Sequence, residues 1–120
     1  MRYDAIPQII YTMPEAAGVG ETEASAAAKG YVFDKVNVPL QYSGRYVAEN
    51  AAGDGFAKLI VCRNTGRILG FHMIGSYASE IILSAAILAG SKHTKESAKK
   101  IVYPHPTVGE IIRDALAQLK

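Results

Sequence analysis

The stretch Phe56-Ala57-Lys58-Leu59-Ile60-Val61-Cys62-Arg63-Asn64-Thr65-Gly66-Arg67-Ile68-Leu69-Gly70-Phe71-His72-Met73-Ile74 reads as two strands joined by a tight turn. Phe56 to Arg63 and Arg67 to Ile74 are rich in aliphatic and aromatic residues that suit a pleated surface. Asn64-Thr65-Gly66 between them offers a glycine for positive φ. Side chains alternate across a strand, so Phe56, Ile60 and Cys62 lie on one side, with Leu59 and Val61 on the other. With apolar residues on both sides, the sheet built on this hairpin needs cover on both faces.

Beyond Gly75 the pattern changes to a helix from Tyr77 to Ala89, in which Ile81, Ile82, Leu83, Ile87 and Leu88 wrap most of the circumference. Such a helix must be buried. One sheet face covers only one stripe, which leaves the second stripe for another subunit or domain. A short helix over Lys95 to Lys100 comes next. A final amphipathic helix follows, with Ile111, Ile112, Ala115, Leu116 and Leu119 as its apolar stripe and Arg113, Asp114, Gln118 and Lys120 towards water.

Towards the N-terminus, Gln8 to Tyr11 reads as a strand that stops at Met13-Pro14, and Glu15 to Gly20, with two glycines, as a loop. Thr22 is an N-cap for a short alanine helix over Ala24 to Ala28, which Gly30 ends. Tyr31 to Val38 is a strand closed by Pro39. Gln41 to Gly55 reads mostly as loop, with a helical turn near Tyr46 to Glu49. This order describes a single α+β domain over residues 1–120: an antiparallel sheet with helices packed on one face.

Composition narrows the function. Thirteen basic and eleven acidic residues leave a net charge of +2, which argues against a nucleic-acid or polyanion surface. The longest near-apolar run, Ile81 to Ala89, falls far short of the roughly 20 residues a spanning helix needs, so no membrane segment is expected. The single cysteine excludes an internal disulfide. With no charged-then-apolar leader, the setting read from the sequence is reducing and cytoplasmic.

Most candidate chemistry has a plain structural reading. Cys62, in an alternating apolar strand without a second cysteine or an activating base, reads as a buried thiol. His72 lies between Phe71 and Met73 and reads as packed or hydrogen-bonded, while His93 among Lys92 and Lys95 reads as solvated surface. The histidines lack metal-ligand spacing, and no metal site is expected. Lys92, Lys95, Lys99 and Lys100 form a cluster that Glu96 interrupts and no aromatic residue interleaves, as on a solvated helix face. Glu80, at the start of the apolar helix, suits its positive end. Gly18-Val19-Gly20 lacks the full spacing of a phosphate loop.

Tyr103-Pro104-His105-Pro106-Thr107-Val108-Gly109-Glu110 is different, because it joins an acid-base residue to a carboxylate through defined backbone chemistry. Pro106 fixes its own φ and disfavours helix at His105, which places His105 at the cap and Pro106 as first helical residue. Glu110, five residues on, would face elsewhere in a continuous helix, but a non-helical His105 can fold back towards it. The pattern alone leaves two readings open: a capped helix with an acidic first turn, or an acid-base pair.

Four segments in order resemble the C-terminal dimerisation domain of the pyridine nucleotide-disulfide oxidoreductases, most of all the dihydrolipoyl dehydrogenases. Thr12-Met13-Pro14-Glu15-Ala16-Ala17-Gly18-Val19-Gly20-Glu21-Thr22-Glu23 is similar to the family's entry segment. Gly55-Phe56-Ala57-Lys58-Leu59 and Gly66-Arg67-Ile68-Leu69-Gly70 resemble its hairpin. His72-Met73-Ile74-Gly75 followed by Ala78-Ser79-Glu80 resembles its passage into the interface helix, and His105-Pro106-Thr107 with Glu110 its signature. Tyr103-Pro104 stands where lipoamide enzymes often carry His-Ala, and Ser76-Tyr77 replaces smaller residues.

The resemblance implies a homodimer whose parent enzyme uses FAD and NAD to convert dihydrolipoamide to lipoamide, with a 2-oxo acid dehydrogenase complex as a further partner. It implies that His105 takes the proton of the substrate dithiol at the partner subunit's redox disulfide and that Glu110 holds its imidazole. The backbone of His105 and Pro106 would approach the partner's FAD. The FAD and NAD domains and the redox cysteines have no counterpart in this chain, so the fragment alone is expected to bind no cofactor and to be inactive. A sister disulfide reductase acting on glutathione and a non-catalytic oligomerisation module are the alternatives.

Overall fold

The computed structural model describes residues 3–51 and 53–120. Five strands form one antiparallel sheet: β1 (Gln8–Ile10), β2 (Ala16–Gly20), β3 (Phe33–Pro39), β4 (Phe56–Cys62) and β5 (Ile68–Ile74), in the order β1-β2-β5-β4-β3. The β4–β5 hairpin lies at its centre, with Leu59 opposite Phe71 and Ala57 opposite Met73. Gly66 adopts the positive φ expected in the turn, at +71°, and its N–H donates to the Cys62 carbonyl. A register shift at Ile60/Val61 marks a bulge before the turn.

Two apolar clusters answer the demand for cover on both faces. On one face Val19, Leu59, Val61, Phe71 and Met73 pack with helices α3 (Ala78–Gly90) and α5 (Ile111–Gln118), through residues such as Ile82, Leu88, Ile111, Ile112 and Leu116. The opposite face is closed over a smaller area by helix α1 (Glu23–Ala28), whose Ala26 joins Ile60, Cys62 and Leu69. Thr22 caps α1 as expected, its hydroxyl accepting from the Ser25 N–H at 3.1 Å. Glu23 fastens the helix to the sheet by accepting from Lys58 (2.6 Å) and Lys35 (2.5 Å).

Helix α1 on the second face corrects the expected packing of all helices on one face, and two readings of individual segments change as well. Glu15 to Gly20 is not a loop: Ala16–Gly20 is a strand paired with both β1 and β5. Its Gly18 lies opposite His72, and a Cβ there would come within 2.5 Å of the imidazole Nδ1, so the glycine makes room for a ring rather than for a turn. Gln41 to Gly55 is also more ordered than expected, with a 3-10 turn at Leu40–Tyr42 and helix α2 (Gly44–Glu49), on which Tyr46 is buried. A short helix α4 (Lys95–Ala98) precedes the segment leading to α5. Among the described residues no helix is long and apolar enough to cross a membrane.

Candidate functional site

The start of α5 is pinned because Val108, Ile111 and Ile112 are buried in the main core. The 3-10 turn Val108–Glu110 leads into the helix, and Thr107, not His105, stands at its N-cap; Pro106 is outside the helix. The expectation of His105 as cap and Pro106 as first helical residue is therefore corrected. Glu110 explains the change, since its Oε2 accepts the Thr107 N–H at 2.9 Å and so satisfies a donor of the first turn. The Thr107 hydroxyl donates to the Pro104 carbonyl at 2.8 Å, drawing the intervening residues into a loop. The His105–Pro106 peptide is cis.

That loop brings His105 back over the first turn, as the non-helical reading required. Its Nδ1 lies 3.0 Å from both carboxylate oxygens of Glu110. The Glu110 side chain is only 6% exposed, whereas that of His105 is 77% exposed. Arg113, one helical turn on, donates from Nη1 to Glu110 Oε1 at 2.6 Å and from Nε and Nη2 to Asp114. A hollow of about 290 Å³ opens beside the imidazole, with Tyr42, Ser43 and Arg45 on its opposite wall. Ser43, the N-cap of α2, ties the two walls together by donating to the Thr107 carbonyl at 3.4 Å.

The electrostatics favour a charged Glu110. The Thr107 N–H, ahead of the His105 and Arg113 contacts, holds its carboxyl below the usual carboxylate range, while burial pulls the other way. A carboxylate can only accept, so the neutral imidazole carries its proton on Nδ1 and presents a lone pair on Nε2. Nδ1 is fixed by the protein and Nε2 is turned outward. The arrangement can accept a proton at Nε2 and balance the resulting cation with a buried negative charge.

The other sequence candidates lie elsewhere. His72 is hydrogen-bonded as expected, its Nε2 donating to the Glu21 carbonyl at 2.9 Å. His93 is half-buried and paired through Nδ1 with the Ser97 hydroxyl at 2.9 Å, which corrects its reading as solvated surface. Cys62 is buried, with the Thr65 hydroxyl bringing its thiol somewhat below the usual range. Two of the clustered lysines are engaged at carbonyls, Lys99 at Leu119 and Lys95 at Lys120. Sequence reading missed Arg113, which it assigned to water. Its i,i+3 spacing from Glu110 was the available signal.

Comparison with known proteins places this chain in a family. The model of the pyridine nucleotide-disulphide oxidoreductase dimerisation domain matches residues 6–116. Dihydrolipoyl dehydrogenase from Cupriavidus necator is 35% identical over 113 residues, covering 94% of this chain and 24% of the relative. The Trypanosoma brucei brucei enzyme of the same name is 36% identical over 115 residues, covering 96% and 24%. The crystal structure of LpdA from Mycobacterium tuberculosis superposes with a TM-score of 0.88 at 25% identity, over 100% of this chain and 26% of that one. The chain thus spans about a quarter of the length of the proteins it matches. It belongs to the dimerisation-domain family of the pyridine nucleotide-disulphide oxidoreductases.

Proposed function

We propose that this chain is the interface portion of a flavin-dependent dihydrolipoyl dehydrogenase, a homodimer working in a reducing compartment that oxidises dihydrolipoamide to lipoamide with NAD. In this reading His105 serves as acid-base residue at the partner subunit's redox disulfide, and Glu110 positions it. One observation carries the assignment: an exposed imidazole has its Nδ1 held by a buried carboxylate at 3.0 Å, which leaves Nε2 free in solvent.

The chemistry follows from that geometry. Nε2 takes a proton from a substrate thiol, producing the thiolate that thiol-disulfide exchange requires. The imidazolium then stays on Nδ1–H···Glu110, and the proton can leave from Nε2 in the next step. The chemistry that a bound FAD would supply is two-electron redox between the thiols and the nicotinamide. The exposed residues His105 and Pro106 fit a place at the edge of such a group, since the neighbouring hollow is too small to house a dinucleotide.

In the full-length parent, His105→Gln should lower lipoamide turnover by orders of magnitude while flavin absorbance stays intact. Near-normal turnover would refute the role. The Thr107 N–H bond to Glu110 also suits a non-catalytic oligomerisation module, in which the pair only caps a helix. That reading predicts no redox cysteine pair or glycine motifs in the parent's remaining sequence. A substrate panel including oxidised glutathione separates lipoamide from a sister disulfide substrate.

A further inference from the structure

The carboxylate of Glu110 is not reserved for His105. Its shortest contact is with Arg113, at 2.6 Å on Oε1, while Nδ1 of His105 stands 3.0 Å from each oxygen. Arg113 is in turn held on its other edge by Asp114, which accepts from Nε at 3.1 Å and from Nη2 at 2.9 Å. Four groups therefore alternate in charge: Asp114, Arg113, Glu110 and the imidazole. We infer that Arg113 is a positioning residue for the His105–Glu110 pair, and that Asp114 sets how strongly it acts. The inference builds on the acid-base reading of His105.

A cationic donor on Oε1 does two things. With the Thr107 N–H on Oε2 it locks the carboxylate plane, so that one Nδ1–H meets both oxygens. It also draws negative charge away from the oxygens that hold the imidazole, weakening that hydrogen bond. Asp114 competes for the same guanidinium and relieves part of the pull. Because the signs alternate, removing Arg113 and removing the charge of Asp114 must act on His105 in opposite directions.

The charged or titratable groups facing His105 across the hollow are Arg45 and Tyr42. Arg45 is paired with Glu49 at 2.5 Å and does not hydrogen-bond Glu110. Neither group belongs to the alternating chain, so both act as a constant background to the two substitutions.

The test is NMR of the full chain, following the Nδ1–H proton of His105. Arg113→Gln should move it downfield as Glu110 tightens on the imidazole; Asp114→Asn should move it upfield as Arg113 tightens on Glu110. Arg113→Lys keeps the charge and should stay near the wild type. In the assembled enzyme the pH optimum of turnover should shift in opposite senses for the first two variants. Rates on its flanks should change about two- to fivefold, the range a half-exposed ion pair supports. Shifts in the same direction, or none in variants whose circular dichroism shows a folded chain, would overturn the inference. Opposed NMR shifts together with an active His105→Gln would uphold the coupling and remove the acid-base reading. Unmoved NMR signals with an inactive His105→Gln would remove the coupling alone.

Discussion

Glu110 gathers a helix cap, an imidazole and a guanidinium on one carboxylate. It accepts from a first-turn N–H, an imidazole and a guanidinium, and that set of donors outweighs the cost of burying a carboxylate. Its folded pKa lies below its unfolded value of about 4.3. The stability it contributes is therefore fully present above that pH and is lost as pH falls through the lower folded value. Glu110→Gln should be less stable than the wild type at neutral pH, and the two denaturation curves should converge in acid. A gap that stays constant with pH would show that shape, not charge, is what matters. The His105–Glu110 meeting was legible in the residues themselves, because Pro106 keeps His105 out of the helix and so frees it to fold back. Thr107 as the cap was not, since it depends on how the buried Val108 and Ile111 set the helix in the core.

At the scale of elements, α3 divides into two faces with different duties. Ile82 is 2% exposed in the core, whereas Leu83 and Ile87 are 62% and 56% exposed on the outer stripe. Ile82→Ala should cost about 2–5 kcal/mol in urea unfolding, the range for truncating a buried aliphatic side chain. Leu83→Ala, measured at low protein concentration, should stay within about 0.5 kcal/mol of the wild type. Equal losses would contradict the two-faced description. The start of α3 is held from a distance: Glu15 accepts the Ser79 N–H at 2.9 Å across 64 residues of sequence, which no local pattern could announce. The start of α1 depends on Glu23, whose carboxyl is lowered to about 2 by hydrogen bonds from Lys35 and Lys58. Its folded value is the lower one, so its contribution is present above about pH 4.3 and fades as pH drops towards about 2. Glu23→Gln should therefore loosen α1 at neutral pH but not in strong acid, as hydrogen exchange at the Ala26 amide would report.

For the whole molecule the outer stripe of α3 becomes a statement about assembly. Membership of a dimerisation-domain family implies a dimer partner, and exposed Leu83 and Ile87 one turn apart are an apolar surface suited to one. A double substitution, Leu83→Glu with Ile87→Lys, should leave the fold intact by circular dichroism and shift light scattering towards the monomer. An unchanged dimer would place the interface elsewhere. In the proposed function His105 acts across that assembly, and its exposed side chain suits such a place.

Hydrophobic alternation and turn chemistry by themselves determined the central hairpin, the α+β class, the capped α1 and the apolar stripe of α5, because each depends on contacts between near neighbours in the chain. The one-strand error at Ala16–Gly20 has the same root. A glycine in a strand looks like a loop until the His72 ring across the sheet is seen to need the space. Only the tertiary structure decided which groups share the Glu110 carboxylate, which wall faces His105 and which stripe of α3 stays exposed. Burial and hydrogen-bond competition depend on elements that meet in space. A sequence pattern can name the histidine and the carboxylate, but the core that buries one and exposes the other exists only once the chain has folded.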